Sequence, residues 1–120
     1  MILSDQRILD EMELGTIKIE PYDRNCLGSN SYDVHLGKHL ALYVDAELDA
    51  KKHNTIEHFD IPEEGYLLMP DQFYLGVTLE YTETHAHVPF LEGKSSTGRL
   101  GIDIHATAGK GDVGFCGNWT

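Results

Sequence analysis

Three consecutive hydroxyl residues stand between two cations in the segment Gly93–Gly101, which is the most chemically suggestive part of the chain. Glycines let backbone N–H groups approach an anion, hydroxyls donate short hydrogen bonds, and an arginine can grip two phosphate oxygens. Three of the nine basic residues lie between Lys94 and Lys110, with Asp103 as the one acid there. The pattern suits phosphate, but composition alone favours a polar turn with solvated cations, and the order is not that of a Walker loop.

The segment Asp103–Gly114 follows, in which polar residues of a predicted strand run into a loop with several glycines. Asp112 could hold a sugar hydroxyl, although an Asp beside Gly more often orders a turn. His105 is predicted on the polar face of the strand, where a lone histidine is more often structural than catalytic. Both residues are therefore candidates whose simpler alternative is a structural role.

Two further groups of histidines and acids offer chemistry. Asp33 and His35 are predicted on one side of a strand, as an acid–base pair or as a polar pair at a subunit interface, and the structural role is favoured. His85 and His87 could bind a metal, but no Cys or carboxylate is recognised at ligand spacing beside them. We therefore predict a solvated turn before Pro89.

The elements that must position these residues are mostly strands. A short helix is predicted to begin after Ser4 as N-cap and to end at Gly15. The stretch 45–60 is predicted as a surface excursion, the segment 114–118 as a turn, and Trp119 as the opening of another strand. Alternation of apolar and polar residues predicts strands at Ile17–Ile19, Tyr32–Leu36, Leu40–Val44, Tyr66–Met69, Phe73–Tyr81, Val88–Leu91 and Leu100–Ala106. Many short strands favour a β-barrel or jelly-roll-like domain.

Length and charge exclude several classes of function. A chain of 120 residues predicts one domain spanning 1–120, and its net charge of −11 disfavours binding to nucleic acids or anionic membranes. No apolar run reaches the roughly 18 residues of a membrane span, which predicts a cytoplasmic protein. Only Cys26 and Cys116 are present, too few for a disulfide framework. The H-x-E and P-C-x-x-C patterns of zinc nucleobase deaminases are absent.

The segment Gly93–Gly101, read as Gly-Lys-Ser-Ser-Thr-Gly-Arg-Leu-Gly, resembles the signature loop of the dUTPase and dCTP deaminase superfamily. The deaminase branch is indicated by His105–Ala108 and Gly111–Phe115, and Ser31–Gly37 and Gly76–Glu80 fit in order and spacing. The resemblance implies a distorted β-barrel or jelly-roll-like subunit with a short N-terminal helix. It also implies a homotrimer whose active sites lie between subunits.

The activity implied by this resemblance is hydrolytic deamination of dCTP to dUTP and ammonia, with Mg²⁺ on the triphosphate, no zinc, and dTTP as a candidate inhibitor. Two alternatives remain open on the enzyme side: a bifunctional deaminase that releases dUMP, or a plain dUTPase. A third alternative is a nucleotide-binding fragment without turnover. The product distinguishes these alternatives: dUTP indicates the deaminase, dUMP indicates one of the two enzyme alternatives, and no product indicates the fragment.

The family's site residues transfer onto matching positions of this chain. Ser95 and Arg99 would lie close to the reacting base, and the backbone of Ala108 would fix the cytosine edge or the attacking water. His105 would lie near the base and Asp112 near the sugar. Lys94 and Ser96 would lie nearer the triphosphate, and Thr97 and Gly98 complete the set of substrate-binding residues.

Two departures from the family pattern affect this transfer. Lys94 stands where the family usually has arginine, so the positive charge is kept but the bidentate hydrogen bonding of a guanidinium group is lost. The family's general-base glutamate would fall two residues after Thr120, which predicts a chain without the C-terminal strands and closing segment. Glu92 is the acid nearest in sequence to the signature loop, but no catalytic role is assigned to it.

Overall fold

A computed structural model describes all residues from 1 to 120. The structure contains two α-helices, α1 (Asp5–Glu13) and α2 (Ser95–Gly98), and a short 3-10 helix at Arg24–Cys26. The strands are β1 (Ile17–Glu20), β2 (Leu36–Tyr43), β3 (Ile56–Asp60), β4 (Leu75–Thr78), β5 (Tyr81–Thr84) and β6 (Phe115–Gly117). None of the helices has the length and apolar character that a membrane span needs.

The strands form two antiparallel sheets of three strands each, ordered β1-β5-β6 and β3-β2-β4. The prediction of a mostly-β chain with a short N-terminal helix is confirmed. The two sheets do not close into a barrel within these residues, and the structure is a distorted β fold. The turn between β4 and β5 carries the chain from one sheet to the other.

Helix α1 begins and ends where the sequence predicts. The Ser4 hydroxyl accepts a hydrogen bond from the Arg7 backbone N–H at 3.3 Å, and Gly15 has a φ of +78° that favours glycine after the helix. Ile8 is buried on the inner face, as is Glu11, which the Arg7 guanidinium contacts at 2.7 Å. The Thr16 hydroxyl also donates to the Glu11 carboxylate. The Thr16 contact ties the helix to the residue that directly precedes β1.

The longest predicted strand, Phe73–Tyr81, is wrong as a single element. The strand β4 ends at Thr78 and β5 begins at Tyr81, because Glu80 turns its carboxylate into the protein instead of continuing the alternation. That carboxylate accepts hydrogen bonds from the backbone N–H of His35 at 2.8 Å and from its Nδ1 at 2.5 Å. Glu80 is only 1% exposed, so this turn is fixed by a buried polar contact.

Other strand boundaries also differ from the prediction. No strand forms at Tyr66–Met69 or Leu100–Ala106, and Val88–Leu91 contributes only an isolated bridge from Phe90 to Lys110. At Gly101 a φ of +75° bends the chain out of an extended path. Tyr32–Leu36 is also not a continuous strand, since β2 begins at its last residue.

Two segments predicted as irregular contain strands. The excursion 45–60 ends in β3, which pairs along its whole length with β2, from Tyr43 opposite Ile56 to His39 opposite Asp60. The predicted turn at 114–118 contains β6, which pairs with β5. Trp119 lies beyond β6 in no strand, but its backbone N–H donates to the Thr78 hydroxyl at 2.9 Å. Pairing with distant strands formed these elements despite weak local patterns.

Candidate functional site

The signature segment forms a helical turn. Lys94 is the N-cap of α2, and the Arg99 backbone N–H donates to the Ser95 carbonyl at 3.0 Å, as in an α-helix. Residues four apart on a helix share one face, so this turn brings Ser95 and Arg99 to the same side. Ser95, Ser96 and Arg99 are exposed, and Thr97 is half-buried. The turn therefore presents hydroxyls and a cation to solvent.

A cleft of about 310 Å³ lies beside this turn. It brings together four of the residues that the sequence assigned to substrate: Lys94, Ser95, Gly98 and His105. Two acids without an assigned role in the site, Glu92 and Asp103, also line the cleft. The remaining lining residues are Gly93, Ile102 and Ile104.

The ammonium group of Lys94 forms an ion pair with the Asp33 carboxylate. This contact raises the pKa of Lys94 above its usual value, because the carboxylate accepts a hydrogen bond from the charged form and attracts it. Asp33 and His35 therefore face different partners, since His35 contacts Glu80. The acid–base pair considered from the sequence does not form in this structure.

His105 lies in an irregular segment, not on a strand, and its side chain is mostly buried. Its Nε2 is 4.0 Å from a Glu92 carboxylate oxygen, and its buried Nδ1 has no hydrogen-bond partner. Gly109 makes this packing feasible, because a Cβ there would lie 2.6 Å from the imidazole Nε2 and 2.6 Å from the Leu91 carbonyl oxygen. Buried ring nitrogens are usually hydrogen-bonded, so this unpaired atom is an exception in the structure.

The other sequence-assigned residues stand outside the lining of the cleft. Ser96, Thr97 and Arg99 lie on the same turn, and Arg99 has no ion-pair partner. Ala108 and Asp112 follow later in the chain, and both are exposed. The Asp112 backbone carbonyl accepts from the Phe115 N–H at 3.1 Å, which fits the turn role that an Asp beside Gly commonly has.

The arrangement is suited to holding an anion with several oxygens. The cations of Lys94 and Arg99 and the hydroxyls of Ser95, Ser96 and Thr97 all stand on one turn. Asp33 is the partner that sequence reasoning missed, since it lies 61 residues from Lys94 and no local pattern links the two. These features define a mostly-β protein with a cationic, hydroxyl-rich turn beside a small cleft.

Comparison with known proteins identifies the family. The dCTP deaminase-like family model matches residues 2–120, and the chain belongs to this family. It is 55% identical over all 120 residues to a protein of Cytophaga hutchinsonii named "dCTP deaminase, dUMP-forming", of which it spans 69%. Proteins of the same name from Leptospira biflexa and Clostridium acetobutylicum are 53% and 51% identical over the whole chain, which spans 68% and 69% of them.

Proposed function

We propose that this chain acts in a dUMP-forming deamination of dCTP, which requires two hydrolytic steps. In the first, water replaces the amino group at C4 of the cytosine, and ammonia leaves, giving dUTP. In the second, water hydrolyses the anhydride bond between the α- and β-phosphates, giving dUMP and pyrophosphate. The names of the relatives favour this bifunctional alternative over the release of dUTP.

The observation that carries the proposal is the placement of Lys94, Ser95 and His105 around one cleft at the helical turn. In this proposal Lys94 and Arg99 bind the triphosphate, which enters with its Mg²⁺ as part of the substrate, and Arg99 also lies close to the reacting base. Mg²⁺ commonly reaches protein sites through substrate phosphates and not through an all-protein cage. The exposed hydroxyls of Ser96 and Thr97 supply further donors to phosphate oxygens.

The residues assigned to the base would act on the deamination step. Ser95 and His105 both line the cleft, and in this proposal the imidazole of His105 lies near the pyrimidine. The backbone of Ala108 would fix the cytosine edge or the attacking water, and Asp112 would contact the sugar. None of the residues that line the cleft is assigned the general base of the deamination step.

We also propose that copies of the chain associate, as the homotrimer of the family resemblance would require. The accessible surface is 9022 Å², whereas a compact monomer of 13.5 kDa exposes about 6,500 Å². The radius of gyration is 16.0 Å, whereas a compact domain of this length has about 13.6 Å. Leu36, Leu79 and Leu100 are among the large apolar side chains left exposed. Association would cover part of this surface.

A time course tests the proposed activity. The protein is incubated with dCTP and Mg²⁺, and dCTP, dUTP, dUMP and pyrophosphate are separated by anion exchange. We expect dUMP and pyrophosphate in equal amounts, with ammonia released one for one. Accumulation of dUTP would return the assignment to a deaminase that performs only the first step. Binding of dCTP without any product would support the third alternative, a nucleotide-binding fragment.

A further inference from the structure

A second group of chemically capable side chains lies on the sheet β1-β5-β6, away from the cleft. Glu83 on β5 stands directly opposite Cys116 on β6, and paired residues of an antiparallel sheet point to the same face. His85 follows Glu83 by two residues, which is the spacing that keeps side chains on one side of a strand. None of these three residues lines the cleft at the signature turn.

The potential ligand atoms of this group converge. One carboxylate oxygen of Glu83, a ring nitrogen of His85 and the Cys116 sulfur all lie within 4.8 Å of one another. The Nε2 of His85 is 2.7 Å from the Glu83 carboxylate, and His85 and Cys116 are exposed. An ion can therefore reach all three from solvent. The carboxylate, imidazole and thiolate together are the donor set that zinc uses in proteins.

We propose that Glu83, His85 and Cys116 form a binding site for one zinc-like divalent cation, with water completing a tetrahedral shell. Ligand atoms about 2.0–2.3 Å from a tetrahedral zinc lie roughly 3.5 Å apart, so the group needs to contract by about 1 Å. His85 lies in a bend just after β5, where the ring can turn from its hydrogen bond with Glu83 toward the ion. The Cys116 thiol, which now donates to the Gly114 carbonyl, loses its proton on binding.

The surroundings of the group support this assignment. The Tyr81 hydroxyl donates to Glu83 at 2.9 Å and would orient the carboxylate, as outer partners of metal ligands commonly do. Lys18 on β1 is a cation that stands opposite Glu83 on β5. Its ammonium group is held 3.3 Å from Glu20 and lies over the Tyr81 ring, so it is already partnered.

His85 lies exposed in a bend before Pro89, as the sequence predicts, but a carboxylate and a thiol do lie beside it, which the sequence analysis did not recognise. The carboxylate stands two residues before His85 on a strand, and the thiol reaches it from β6, 31 residues away along the chain. A bound ion would link β5 to the three-residue strand β6 and so secure the segment that ends at Trp119. The site is structural and separate from the proposed deamination, whose chemistry is expected to use no zinc.

Cobalt(II) gives a spectroscopic test of the proposal. The protein is treated with a chelator, desalted and titrated with Co²⁺, whose thiolate complexes absorb in the near-ultraviolet and whose tetrahedral complexes absorb visibly. We expect one equivalent of Co²⁺ to produce both bands and Zn²⁺ to remove them by displacement. Cys116→Ser should abolish the thiolate band, and Cys26→Ser, which alters the other thiol, should leave it unchanged.

Two further variants separate a built site from loose surface binding. His85→Gln removes a ligand from an exposed position and should weaken Co²⁺ binding by more than 100-fold, the upper end for loss of an outer partner. Tyr81→Phe should weaken it about 10–100-fold. The proposal is overturned if no thiolate band forms, if the band persists in Cys116→Ser, or if it vanishes in Cys26→Ser. Unchanged affinity in His85→Gln would equally contradict it.

Discussion

The two buried acids, Glu11 on α1 and Glu80 between β4 and β5, and the exposed cations of the signature turn are satisfied in opposite ways. Glu80 and Glu11 are 1% and 4% exposed, and each has its partners within the chain. Glu80 accepts two hydrogen bonds from His35, and Glu11 contacts Arg7 and Thr16. On the signature turn, in contrast, Arg99 has no ion-pair partner and Ser95 and Ser96 face solvent.

This difference separates charges that maintain the fold from charges that are available to a ligand. A buried carboxylate without its partners would cost free energy, so Glu11 and Glu80 must be satisfied before the fold is stable. An exposed arginine has no such requirement and remains free for an anion. Lys94 is intermediate, because Asp33 already contacts it while its side chain remains 60% exposed. Substitutions in the two regions should therefore separate turnover from stability.

The largest effect is expected for Arg99→Ala. Removal of a fixed cation beside the reacting groups should lower kcat for dCTP on the order of 10²–10³-fold, as loss of a transition-state donor does. The melting temperature should stay unchanged, since surface substitutions usually alter stability by less than about 0.5 kcal/mol. Steady-state kinetics and thermal unfolding measure the two effects. Lys51→Ala, which removes an exposed cation elsewhere, is the matched control. Near-normal kinetics in Arg99→Ala would disprove the site assignment.

The opposite pattern is expected for Glu80→Ala. The substitution leaves the His35 backbone N–H and ring without their acceptor, which should lower the free energy of unfolding by about 2–3 kcal/mol. Chemical denaturation measures the change. Glu57→Ala, at an exposed position of β3, should leave stability nearly unaltered. If the two variants unfolded at the same denaturant concentration, Glu80 would not have the anchoring role given to it here.

A smaller effect is expected for Lys94→Met. Loss of one charged hydrogen bond to phosphate should raise KM for dCTP about 10–150-fold, since such bonds contribute about 1.5–3 kcal/mol. Lys94→Arg keeps the charge and allows bidentate hydrogen bonding to phosphate, so the KM of this variant should equal or fall below that of the unmodified protein. A KM that is the same in all three proteins would show that Lys94 remains with Asp33 and does not bind nucleotide.

The smallest effect concerns pH. The Glu80 carboxylate raises the pKa of His35 above its ordinary value of 6.5, because it accepts a hydrogen bond from the charged ring and attracts it. The stabilisation from this contact is therefore complete below about pH 6.5 and is lost as pH rises through the raised pKa. Thermal unfolding between about pH 6 and pH 9 should show a decline that His35→Gln lacks. Parallel curves for the two proteins would contradict this explanation.

Local signals predicted the parts of the fold that depend on neighbouring residues. The Ser4 cap and Gly15 stop defined α1 because both act within a few residues of the helix. Alternation extended the predicted strand Phe73–Tyr81 too far, because the contact that turns Glu80 inward comes from His35, 45 residues earlier. The strands β3 and β6 were missed for a similar reason, since their distant partners determine them.

In the candidate site, too, residues close in sequence could be predicted and contacts between distant residues could not. Lys94, Ser95 and Gly98 were found because they are consecutive or nearly so, and one turn places them together. His105 was selected from its segment and lines the same cleft, although its predicted strand does not form. The Asp33 contact with Lys94 and the convergence of Glu83 with Cys116 depend on tertiary structure. No spacing rule within one segment reveals such contacts.

The central claim is that the signature turn binds the triphosphate of dCTP. Calorimetric titration with dCTP and with deoxycytidine, in the presence of Mg²⁺, tests it most directly. We expect dCTP to bind far more tightly than deoxycytidine, and the double variant Arg99→Ala, Lys94→Met to lose this preference while remaining folded. Equal affinity for the two compounds, or a preference unchanged in the folded double variant, would contradict the claim.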